Sequence, residues 1–129
     1  SRLEGANKYY RTHLLLSEYT FREVKAKFHW REIDRIRVKG KTKPVAVFEV
    51  LDYHDDASYP NLATNLELYH DALEAYKSCN WEKALHLFEK MIQNHSGDGL
   101  PHMYSERCRY YQKSPPPANW DGVYELKDK

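Results

Sequence analysis

Cysteine and glycine are both scarce, with two and five in 129 residues, and each scarcity excludes a class of function. Cys79 and Cys108 have neither the spacing of a redox motif nor that of a zinc site. Both are expected as reduced thiols that pack as small hydrophobes. No Gly-rich phosphate loop, nucleophile elbow or Cys/His dyad pattern can be assembled. An excess of one charge is missing too: 20 Lys and Arg face 19 Asp and Glu, a net charge of +1. That balance gives no electrostatic case for nucleic acid or an anionic membrane surface. No apolar run approaches the roughly 20 residues needed to span a bilayer, and the N-terminus lacks a signal-peptide pattern. The segment is therefore expected to be cytoplasmic, on its own or as the cytoplasmic part of a membrane-anchored protein. The glycosylation triplet Asn94-His95-Ser96 is read as chance for the same reason.

Aromatic residues are abundant. Eleven Tyr, three Trp and four Phe supply core-forming surface despite a mean hydropathy of −0.87. Ser1 to Tyr10 reads as the end of a helix, stopping near Gly5 or Asn7. His13 to Glu18 is a short apolar run that suits a buried strand. Ser17 can cap a following helix with Phe21, Val24 and Phe28 on one face and Glu18 and Glu23 near its positive end. Arg31 to Asp52 then reads as a hairpin. One strand carries Ile33, Ile36 and Val38, the other runs from Val45 to Leu51, and the turn begins at Lys39-Gly40-Lys41.

From Tyr53 to about 65 the chain is polar, aperiodic and interrupted by Pro60, which predicts a linker. Leu66 to Ser78 reads as a helix with Tyr69, Ala72, Leu73 and Tyr76 on one face, broken at Asn80. Trp81, Ala84, Leu85, Phe88, Met91 and Ile92 recur at helical spacing, and so short a turn requires the two helices to pack antiparallel. Asp98 to Pro101 signals a third helix carrying Met103, Tyr104, Cys108 and Tyr111. The run Ser114-Pro115-Pro116-Pro117 ends it. The expected fold class is α+β: strand, helix, strand and strand, then a helical hairpin with a third helix.

The hairpin turn Val38-Lys39-Gly40-Lys41, with Pro44 opening the next strand, resembles the last hairpin of a class III nucleotide cyclase catalytic domain. Ser1-Arg2-Leu3-Glu4-Gly5 is similar to the end of that family's Asn-x-x-x-Arg helix motif. In the second half, Leu68, Ala72, Trp81, Ala84 and Phe88 stand where a tetratricopeptide repeat places its packing residues. A Pro-Pro-Pro…Trp-Asp-Gly stretch after such helices also resembles extensions of bacterial cyclases. The resemblance implies three segments: residues 1–52 as the C-terminal portion of a ferredoxin-like cyclase domain, 53–65 as linker, and 66–129 as a tetratricopeptide-like extension with a Pro-rich tail.

What the resemblance implies about chemistry is specific. Lys39 would hold the triphosphate of ATP or GTP, as a compact ammonium meeting phosphate oxygens. Arg2 would be catalytic, its planar guanidinium stabilising charge on the transferring phosphoryl group. Two divalent ions, Mg or Mn, would serve the full-length enzyme, their aspartates lying upstream of these residues. The family works as a homodimer whose protomers share each active site, so the 129 residues alone are expected to be inactive. The residues that select adenine or guanine are upstream as well. The cluster Asp52, His54, Asp55 and Asp56 is read as solvated rather than metal-binding, because ligands must converge from fixed elements. The alternative reading is an interaction or dimerisation module: the helical extension binds a protein partner, and the cyclase-like segment is a remnant.

Overall fold

A computed structural model describes residues 15–17, 30–38, 43–51 and 54–126. The helix expected after Ser17 lies outside the described residues, as do Arg2 and Lys39. The chain is mixed α+β. Strands β1 (Leu15–Ser17), β2 (Trp30–Val38) and β3 (Val45–Val50) precede helices α1 (Leu62–Lys77), α2 (Trp81–Asn94) and α3 (Gly99–Lys113), and β4 (Tyr124–Leu126) closes the order. Two compact units result. His54–Asp121 is helical, and Gly122 onward groups with the sheet residues before it.

The sheet has the order β1-β3-β2-β4. β2 and β3 pair antiparallel from Trp30↔Val50 to Ile36↔Val45, with a bulge between Glu32 and Asp34. Antiparallel pairing follows from two β-rich runs separated by only six residues, 39–44. The bulge adds one residue, Ile33, which is wholly buried. Alternation along β3 turns Ala46, Phe48 and Val50 to one face and Val47 and Glu49 to the other, and all five are buried. Trp30 meets Phe48 edge-on at 5.8 Å and joins the Ala46–Phe48 cluster. β4 pairs with β2 in parallel, Ile36↔Tyr124 to Val38↔Leu126. Beyond the expected Pro-rich tail, the residues from Gly122 onward group with the sheet.

In the helical unit the apolar spacing delivers the core. Tyr69, Ala72, Leu73 and Tyr76 of α1 are buried, with Ala84, Phe88 and Met91 of α2 and Leu100, Tyr104 and Cys108 of α3. At the centre Phe88 stacks on Tyr104 at 4.9 Å, and Tyr69 lies edge-on to both. Ala72 and Ala84 have no exposed surface, as expected where helix axes approach closely.

α1 begins at Leu62, one turn earlier than its apolar periodicity predicts. It ends in a Schellman motif: Asn80 N–H donates to Ala75 O, Cys79 N–H to Tyr76 O, and Cys79 takes φ +62°. Asn80 then caps α2 by accepting from Lys83 N–H, and Asp98 caps α3 by accepting from Leu100 N–H.

Candidate functional site

Three places in the described residues bring polar or aromatic groups together. The first is in the sheet. Arg31 and Glu49 face each other directly across β2 and β3. Arg31 Nε and Nη2 both lie 2.8 Å from Glu49 Oε1, and both side chains are almost fully buried. A buried guanidinium–carboxylate pair of this kind is costly to desolvate and survives because the geometry is close. Asp34, on the same face beyond the bulge, is buried too and accepts from Arg35 N–H at 2.8 Å. No spacing rule foretold these buried charges, because Arg31 and Asp34 read as exterior positions until the bulge is known.

The second is a hydrogen-bond hub in the helical unit. Tyr59 OH donates to Asp98 Oδ2 at 2.6 Å. Asn65 Nδ2 donates to Tyr59 OH and to Met91 O, both at 3.2 Å, and Asn94 Nδ2 donates to Asn65 Oδ1 at 2.9 Å. His95 packs on the Tyr59 ring at 4.3 Å and His54 meets it edge-on at 5.2 Å. Satisfied polar groups of this sort fix a loop against a core, so the hub reads as structural. Asn65 is the signal missed in sequence: a wholly buried Asn on an otherwise exposed turn of α1.

The third is an aromatic cluster formed by one residue from each helix and one from the segment after α3. Trp81 stacks on Tyr111 at 4.8 Å, Tyr76 meets Trp81 at 5.5 Å, and Trp120 lies 5.5–5.7 Å from all three rings. Arg107 lies over the rings of Tyr104 and Tyr76, at 5.1 and 5.8 Å, and donates from Nη1 to Tyr76 OH at 3.1 Å.

Asp55 is held below its usual range by hydrogen bonds from Ser58 and Ala57 in an exposed turn. Burial pushes the Cys108 thiol up to about 12, against the nearby positive charges of Arg107 and Arg109, which makes it inert. Among the described residues, no group of three or more His, Cys, Asp and Glu side chains converges to hold a metal ion. A shallow, open depression on α2 is lined by Asn80, Glu82, Lys83, Leu85, His86 and Glu89, with charges of both signs.

Of the residues singled out in sequence, Lys39 immediately follows β2 and Arg2 belongs to the first decade; both lie outside the described residues. No helix of the described residues is long and apolar enough to cross a membrane.

No family model and no solved structure matches the chain. It is similar to the adenylate cyclase "terminal-differentiation specific" of Dictyostelium discoideum, 27% identical over 111 residues. Those residues are 84% of this chain and 5% of that protein's length, so the chain spans a small part of its relative. A match of 111 residues is longer than either unit and runs through both. The chain is thus related in sequence, at a distance, to an adenylate cyclase.

Proposed function

We propose that these residues form the C-terminal part of a class III adenylate cyclase catalytic domain followed by a tetratricopeptide-like helical unit. The full-length protein converts ATP to cyclic AMP and pyrophosphate. The observation that carries this reading is the similarity to an adenylate cyclase over 84% of the chain. The β2–β3 hairpin supports it, because Lys39 stands directly after β2, where the resemblance places a triphosphate-binding lysine.

In this reading the ribose 3′-oxygen attacks the α-phosphorus. A new P–O bond forms, the bond to the bridging oxygen breaks, and pyrophosphate leaves. Lys39 holds the triphosphate through its ammonium, and Arg2 offers fixed donors to the charge that builds on the transferring phosphoryl group. The described residues contain no metal-holding cluster. The two divalent ions therefore fit no site among the described residues, and no step is assigned to them. The 129 residues alone are expected not to turn over ATP, and pairing of two copies through the cyclase portion belongs to the same proposal.

The test is cyclic-nucleotide production from ATP and from GTP with manganese by the full natural chain, beside Arg2→Ala and Lys39→Ala. Loss of one preorganised donor should lower kcat by about 10²–10³ in the Arg2 variant. The Lys39 variant should chiefly raise KM. No turnover by a folded, dimeric full chain would sink the cyclase reading and leave the helical unit as an interaction module.

A further inference from the structure

Asp followed by Gly occurs twice in the chain, at Asp98-Gly99 and Asp121-Gly122. Such a pair can cyclise without a catalyst, because glycine has no side chain to shield its nitrogen. The Gly N attacks the Asp Cγ and forms an N–Cγ bond. The C–O bond to one carboxyl oxygen breaks, and that oxygen leaves as water with the amide and carboxyl protons. A second water then opens the succinimide. Opening at the Asp main-chain carbonyl leaves the backbone running through Cγ, an isoaspartate of unchanged composition with an extra methylene in the main chain.

The two pairs stand in opposite surroundings. Asp121 is exposed, and Gly122 takes φ +81° with nothing within 4 Å of the place a Cβ would occupy. Asp98 and Gly99 are buried. Both carboxyl oxygens of Asp98 are tied: Oδ1 accepts from Leu100 N–H at 3.1 Å and Oδ2 from Tyr59 OH at 2.6 Å. The Tyr59 hydroxyl accepts from Asn65 Nδ2, which leaves its own proton for Asp98, and its ring is packed against His95 and His54. Whichever oxygen departs, one of the two Asp98 bonds has to break first.

We propose that Asp98-Gly99 is a latent isomerisation site, closed by the Tyr59 hub and reached only when that corner of the helical unit opens. The inference stands on contacts inside the helical unit and is independent of the cyclase reading. Isomerisation moves the carboxylate off Leu100 N–H and Tyr59 OH, so α3 loses its cap and the hub its acceptor. A corner that opens and reacts therefore closes less well afterwards.

The experiment uses the full natural chain, incubated warm near neutral pH, and reads isoaspartate at residues 98 and 121 by peptide mapping. In urea the two pairs should react at similar rates. In the folded chain Asp98 should slow by about tenfold or more, since only opened molecules react, while Asp121 keeps most of its rate. Tyr59→Phe keeps the ring and removes the hydroxyl. It should raise the rate at Asp98 several-fold and leave Asp121 unmoved, with the helices still protected from amide exchange. Asp98 reacting as fast as Asp121 in the folded parent would overturn the guard. A folded Tyr59→Phe with an unchanged rate at Asp98 would overturn the part given to the hub. Where Tyr59→Phe does not fold, a urea series on the parent decides: the rate at Asp98 should rise in step with helix exchange, and a rate that does not follow it overturns the proposal.

Discussion

The buried Arg31–Glu49 pair makes a sharp energetic prediction. Both side chains are within 3% of complete burial, and two guanidinium nitrogens lie 2.8 Å from the same carboxylate oxygen. Removing one partner takes this ion pair away from a buried charge. Arg31→Met or Glu49→Leu should therefore each cost about 3–5 kcal/mol of sheet stability. The double variant removes both charges of this pair. It should lie within about 1 kcal/mol of the parent or exceed it, since replacing both ions by apolar groups of similar volume is often neutral or stabilising.

The assay has to see the sheet apart from the helices. Trp30 is in β2, and Trp81 and Trp120 are in the helical unit. Fluorine NMR of fluorotryptophan-labelled protein in a urea series would follow each unit through its own resonance. Single variants costing under about 1 kcal/mol would mean the pair is solvated and behaves as a surface bridge. A double variant less stable than either single would mean that the pair contributes net stability, against the desolvation argument. The pair also sets register: a one-residue slip of β2 against β3 would set Glu49 opposite Trp30 or Glu32 instead of Arg31.

Three further outcomes follow from the helical unit. Tyr59→Phe removes one donor to the buried Asp98 carboxylate and should cost about 1.5–3 kcal/mol, read from the Trp81 and Trp120 resonances; a change within error would make the hub incidental. Cys79→Gly should stabilise by about 0.5–1 kcal/mol, because Cys79 pays for a left-handed φ of +62° that glycine adopts freely; a destabilised variant would show that the Cys79 side chain packs. Burial raises the Cys108 thiol from 9.0 to about 12. Its contribution to stability is complete below pH 9 and declines as pH rises towards 12, because the unfolded chain ionises first. At pH 8 a thiol reagent should modify exposed Cys79 rapidly and Cys108 only on unfolding. Equal rates for the two thiols would contradict the burial.

Much of this was legible in the residue order because the signals are local. The period of Tyr69, Ala72, Leu73 and Tyr76 specifies a buried helix face whatever lies opposite it, and all four are buried. Asn80 and Asp98 bond to backbone N–H groups two or three residues away, so their capping roles need no tertiary information. The antiparallel pairing of β2 and β3 is equally local, because the two strands are close in sequence. The first turn of α1 was hidden because Leu62 to Asn65 carries no apolar period, and Asn65 earns its burial from Tyr59, Met91 and Asn94 instead.

The sequence by itself determined the α+β class, the positions of the three helices, their inward faces and the antiparallel pairing of the two strands on either side of Lys39. Each depends on residues a turn or a strand apart, where steric periodicity and backbone hydrogen bonding suffice. Only the tertiary structure decided the bulge at Ile33, the Arg31–Glu49 pair and the return of β4 to β2. Those depend on partners far apart in the chain, and their energies arise only once desolvation and register are fixed by the packed whole.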